Sequence, residues 1–205
     1  MKENSGRKFT TIMLVMAAVM SAIGVVLALY IHFPLIPAVP FLEYDPADIV
    51  IYICTYVFGI PIGIAMTVVV SVVQGLTVSG SSGPIGIVMH IISTGGFVLA
   101  AGLVYRALAP KNGSGNSNGG RMVMRLAFAT AAGILTTILL MTLWNIFLTP
   151  IFMQIDRAVL IKEYLWLIVL FNIIKASING VAAAVLTVPF RLLAKRFCGE
   201  GLVQK

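Results

Sequence analysis

Asn172, Lys175 and Asn179 lie in an apolar run from Tyr164 to Phe190 of a 205-residue chain. At 100° per residue they share an arc of about 60° on a helix. One face of a membrane-length helix thus carries two amides and a cation. A lysine at that depth costs on the order of 3 kcal/mol to insert, which directs it to a protein interior or a water-filled cavity rather than to lipid. Carboxamides offer both a donor and an acceptor, and the lysine adds a donor. Such a set suits a flat, largely uncharged heterocycle with alternating carbonyl and N–H groups. Snorkelling of the lysine and hydrogen bonding between helices are the structural alternatives.

The elements that must position these groups follow from composition. Hydrophobic residues make up 60% of the chain and charged ones 10%, with a mean hydropathy of +1.03. That balance specifies an integral membrane protein. Its net charge of +7 does not imply nucleic acid, because the basic residues stand at the edges of apolar runs. Six spans of an all-α membrane domain covering the whole chain are predicted: Phe9 to Tyr30, Pro46 to Phe58, Ile62 to Val78, Ile87 to Leu108, Met122 to Leu148 and Tyr164 to Phe190. The first run lacks a small-residue cleavage site and reads as a retained helix. Residues 109–120, rich in Gly, Asn and Ser, form a flexible linker.

Orientation follows from lysine and arginine. Three lie before the first span, four around the central linker and four after the last, against Arg157 and Lys162 on the other side. Both termini are therefore expected in the cytoplasm, with the linker. Gly59-Ile60-Pro61-Ile62-Gly63 is read as a turn rather than a kink, since five spans would export the basic C-terminus.

Depth then groups the polar residues. Gln74, His90, Ser93, Thr94, Asn145, Asn172 and Lys175 fall at one level toward the outside, with Trp144, Phe147 and Phe171 as candidates to bury a planar ring. Asn179 lies one turn deeper and is assigned to the pocket floor or to an interhelical contact. The inner halves carry Ala17, Ala18, Ser21, Ala22 and the run Ala182 to Ala184, a smooth surface for another helix. Between the first two spans, the proline-rich segment from His32 to Asp48 forms a structured external loop, with Asp45 capping the next helix and Pro46 at its first position.

Other chemistries lack their signatures. Ser79 to Gly86 is glycine-rich but has no Gly-Lys-Ser/Thr ending. His90 has no acidic or cysteine partner assignable by position, so neither a metal site nor an intramembrane enzyme is expected. Cys54 and Cys198 form no disulfide framework.

Leu42-Glu43-Tyr44-Asp45-Pro46-Ala47-Asp48-Ile49, the Phe58 to Ile64 turn, Gln74, the helix led by Gly86, Asn145 with Pro150, and Phe171-Asn172-x-x-Lys175 together resemble the riboflavin-specific S components of energy-coupling factor (ECF) vitamin transporters. The resemblance spans nearly the whole chain. It departs at Thr67 and Val70, where members carry glutamate and lysine, and at His90, often an asparagine.

The resemblance implies a six-helix subunit of the bacterial-type plasma membrane that captures riboflavin from outside. Asn145, Asn172 and Lys175 would hold the flavin, with His90, Thr94 and Gln74 as further candidates. Phe41, Leu42 and Asp45 would belong to a lid loop. Ala18 and Ala22 would dock on a transmembrane coupling protein, and two cytoplasmic ATPases would hydrolyse ATP, the chain itself holding no cofactor or metal. An S component for another vitamin or heterocycle, and a non-transport assembly subunit, are the alternatives.

Overall fold

Apolar runs broken only by Gly, Pro and Asp become helices, since only a helix pairs every backbone group within one crossing segment. The computed structural model describes residues 11–77, 83–110, 119–198 and 203–204. The elements in chain order are α1 (Thr11–Tyr30), β1 (Phe33–Pro34), β2 (Glu43–Tyr44), α2 (Ala47–Phe58), α3 (Ile60–Thr77), α4 (Gly83–Ala107), α5 (Gly119–Met153), the single turn α6 (Arg157–Val159), a π-helical turn (Leu160–Tyr164) and α7 (Leu165–Cys198). Five helical runs, α6 to α7 counting as one, are long and apolar enough to cross a membrane; α2 is a shorter apolar helix.

Close approaches at glycines fix how the helices run. A Cβ on Gly75 would meet Ile87, and one on Gly102, at the far end of α4, would meet Ile60, so α3 and α4 are antiparallel. Arg125 Nη2 donates to Tyr105 O at 2.9 Å, and Thr137 Oγ1 reaches Ser93 O at 3.4 Å, so α5 returns along α4. Gly180 of α7 faces Thr130 and Ile134 of α5. Asp45, Gln74, His90, Asn145 and Lys175 thus collect at one end. Arg106, Arg121, Arg191, Lys195 and Arg196 stand toward the other, the separation that the charge asymmetry predicts.

At the centre sits α2, whose 12 residues extend about 18 Å, less than the roughly 30 Å of a hydrocarbon core. All of them but Ile49 are buried, so its place is inside the bundle. Tyr52 stacks on Phe97 with centroids 3.6 Å apart, and the Tyr56 hydroxyl lies 2.9 Å from Thr130 Oγ1. At the basic end, Arg191 bonds the Tyr105 hydroxyl at 3.0 Å and Gln204 O at 2.6 Å, while Gln204 N donates to Val57 O at 2.8 Å.

Several boundaries depart from expectation, each for a backbone reason. The α2 to α3 reversal needs only Gly59, at φ 102, and Pro61 is accommodated in the first turn of α3, where an N–H has no helical partner. Helix α4 begins at Gly83, not Ile87. Helix α5 starts at Gly119 and runs past Leu148 and through Pro150 to Met153. A proline interrupts one hydrogen bond without ending a helix that is held by its neighbours. Helix α7, whose expected span already passed through Pro189, ends at Cys198 rather than at Phe190. Of the expected linker, residues 111–118 lie outside the described residues, as do Val78 and the glycine-rich stretch up to Ser82.

Two glycines in the bundle should respond oppositely to alanine. Gly63 sits where a Cβ would collide with Thr55 Oγ1 and lie 2.9 Å from Val98 Cγ1, whereas Gly95 has nothing within 4 Å. Thermal unfolding in detergent should show Gly63→Ala destabilised by about 1–3 kcal/mol, and Gly95→Ala unchanged or stabilised by up to about 1 kcal/mol.

Candidate functional site

The end of the bundle that gathers the polar residues encloses a cavity of about 250 Å³. Its walls come from α3 (Ser71, Gln74), α4 (His90, Ser93), α5 (Asn145, Thr149) and α7 (Phe171, Asn172, Lys175), with Phe41, Leu42 and Asp45 of the loop before α2 closing it. Among the sequence candidates, Asn145, Asn172, Lys175, His90 and Gln74 therefore border one space. Thr94 does not: it is buried behind α4 and donates to Asp48 Oδ1 at 2.6 Å.

Lys175 finds its counter-charge in the loop. Its Nζ lies 2.8 Å from Asp45 Oδ2, while Asp45 Oδ1 accepts from Ala47 N at 3.1 Å. Contrary to expectation, the cap position of α2 is Pro46 and the helix starts at Ala47; Asp45, one residue before the cap, still accepts from Ala47 N, and it also holds the membrane-depth cation. Asn179, one turn deeper, donates to Asp45 O at 3.1 Å and accepts from the Tyr44 hydroxyl at 3.0 Å. Burial, with Asp45 next, pushes the Tyr44 phenol above its ordinary pKa although Lys175 opposes this, so it remains a neutral donor. Asn179 is thus an interhelical clamp on the loop rather than a cavity wall.

The two other asparagines divide their groups between helix and cavity. Asn145 donates to Met141 O at 2.7 Å and accepts from Thr149 Oγ1 at 2.7 Å. Asn172 donates to Ile168 O at 2.8 Å, which leaves its carbonyl oxygen as an open acceptor on the same wall as the Lys175 ammonium. The aromatic lining differs from expectation. Phe171 borders the cavity with Phe41 and Phe152, whose rings lie 6.5 Å apart. Trp144 and Phe147 point outward, 36% and 44% exposed, because they stand about 100° and 160° round α5 from Asn145.

Sequence reasoning left His90 without an acidic partner, and here the structure corrects it. His90 Nε2 lies 3.3 Å from Asp48 Oδ1, an ion-pair distance without hydrogen-bond alignment, and Nδ1 is 2.7 Å from Ser71 Oγ. Asp48, Ser71, Tyr44, Thr149 and Phe152 were not singled out as site residues. A charge count points to the first of these: a buried lysine and histidine require acids, and Glu43, Asp45 and Asp48 are the acidic residues of the adjoining loop. The chain Ser71–His90–Asp48 orders the serine hydroxyl against the cavity. Acyl transfer would further require donors aimed at an oxyanion, and the Lys175 ammonium is already bound to Asp45 on another wall. No group of three His, Cys, Asp or Glu among the described residues is arranged to hold a metal.

On α1, Met13, Ala17, Ser21, Gly24 and Ala28 face the bundle. Ala18 and Ala22 lie on the opposite, exposed face with Val15, Val19 and Val26.

Comparison with known proteins agrees with this architecture. The riboflavin transporter RibU of Streptococcus thermophilus is 28% identical over 181 residues, covering 85% of this chain and 80% of its own. A structure described as the S component of a bacterial ECF transporter superposes with a TM-score of 0.65 at 24% identity, over 90% of this chain and 98% of the other, and shows the shared fold. The profile of the ECF transporter substrate-specific component matches residues 13–190. This multi-pass membrane protein belongs to the family of ECF transporter substrate-specific components.

Proposed function

We propose that the chain binds riboflavin on the outer face of the cell membrane and delivers it as the specificity subunit of an ECF transporter. The observation that carries the proposal is the pairing of an open acceptor, Asn172 Oδ1, with the Lys175 ammonium in a cavity lined by Phe41, Phe152 and Phe171. A flavin ring presents carbonyls and an imide N–H along one edge and an apolar face on either side. Relationship to a riboflavin transporter supports the same ligand. Asn145 positions the wall through Thr149, and the loop with Phe41, Leu42 and Asp45 is the lid.

In this reading the chain crosses the membrane six times, α2 included, with both termini and the basic end in the cytoplasm. It is not an enzyme and uses no cofactor of its own. A transmembrane coupling protein and two cytoplasmic ATPases supply the energy, and the exposed face of α1 at Ala18 and Ala22 docks on the former.

A thermal-shift screen of water-soluble vitamins against the purified protein should single out riboflavin. A larger shift with another vitamin would reassign the ligand within the family. Lys175→Met removes a charged hydrogen bond to the ligand, about 1.5–3 kcal/mol, and should weaken riboflavin about ten- to hundredfold. Asp45→Asn, which keeps the lysine, should cost less; equal losses would make Lys175 a lid residue only. Ala22→Trp should abolish uptake in cells expressing the whole transporter while leaving riboflavin affinity within about twofold. Loss of both would place Ala22 in the fold rather than at a docking surface.

A further inference from the structure

The cavity has a second polar wall, on α3 and α4, that the ring-binding groups of α5 and α7 leave unused. There Gln74 is 6% exposed, and its Oε1 is shut off from water without a hydrogen-bond partner. An orphaned buried acceptor costs stability unless something satisfies it. One turn away on the same helix, Ser71 Oγ is 2.7 Å from His90 Nδ1, with Asp48 3.3 Å behind the ring. Both Ser71 and Gln74 border the cavity.

The kind of partner follows from counting donors. A neutral flavin ring carries one N–H donor, its imide, and Asn172 Oδ1 is the acceptor for it beside Lys175. Every other donor of riboflavin is a hydroxyl of its ribityl chain. Gln74 Oε1 is closed to water as it stands, so the Gln74 amide meets a ligand by turning about its last torsion, and an alcohol, which both donates and accepts, pairs with either end of it. Ser71 leads to the same class. Its hydroxyl donates to Nδ1 in one tautomer of His90 and accepts from it in the other, so it presents the cavity with a lone pair or a hydrogen respectively. An alcohol, which both donates and accepts, pairs with either state; a ring carbonyl pairs with one only.

We infer that Ser71 and Gln74 form a hydroxyl subsite, which takes a polyhydroxylated side chain of the ligand while the ring lies against Asn172, Lys175 and Phe171. His90, backed by Asp48, positions Ser71. The subsite rests on the flavin reading above and extends it to the part of the ligand that distinguishes riboflavin from its bare ring.

Lumiflavin, which has the same ring with a methyl group in place of the ribityl chain, separates the two parts. Fluorescence titrations of the purified wild-type protein should show riboflavin bound at least about tenfold more tightly than lumiflavin, the loss expected for one or more hydrogen bonds. Gln74→Met and Ser71→Ala should each weaken riboflavin about three- to tenfold and leave lumiflavin within about twofold. Equal affinity of the wild type for both flavins would overturn the subsite without any variant having to fold. So would substitutions that weaken the two ligands alike or leave their ratio unchanged. If the wild type binds neither flavin, the flavin reading itself falls and the subsite with it.

Discussion

A lysine and an aspartate 2.8 Å apart hold this structure's functional end together. Lys175 cannot face lipid at its depth without a large penalty, and Asp45, 94% out of solvent along its side chain, cannot be left alone for the same reason. Each makes the other tolerable. Removing one partner of such a pair strands the other charge, typically at about 3–5 kcal/mol. The pair therefore does more than join two side chains: it fixes the proline-rich loop to α7, and Asn179 and Tyr44 reinforce the join one turn deeper.

The rest of the site is arranged around that attachment. With the loop fixed, Asp48 enters the bundle at the start of α2 and meets Thr94, His90 and Asn179. Short α2 is surrounded by longer helices, and the cavity lies among α3, α4, α5 and α7 beneath the loop that precedes α2. In the proposed flavin reading, the same geometry would link ligand binding to the hold on the loop. There a ligand carbonyl approaching the Lys175 ammonium would share it with Asp45 or draw it away, so that occupancy of the site and the hold on the loop would be connected through one group.

Much of this was legible in the sequence. The cost of a charge in lipid marked Lys175, helical periodicity put Asn172 beside it, and lysine and arginine asymmetry brought Gln74, His90 and Asn145 to the same end. What remained hidden depended on side-chain direction. Trp144 and Phe147 are at the right depth but on the outer face of α5, and Thr94 is one position past the cavity-facing Ser93. Asp48 looked like a residue of the first helical turn, since nothing in the local sequence says that α2 is buried on nearly every side. The proline at 150 misled in another way, because the bundle rather than the local backbone decides whether a helix continues.

Equilibrium titration of riboflavin into the purified wild-type protein, followed by quenching of flavin fluorescence, bears most directly on the site as a whole. Saturable quenching with one riboflavin per chain is the predicted result. Fluorescence indistinguishable from that in buffer at every riboflavin concentration tested would contradict a flavin site in this cavity.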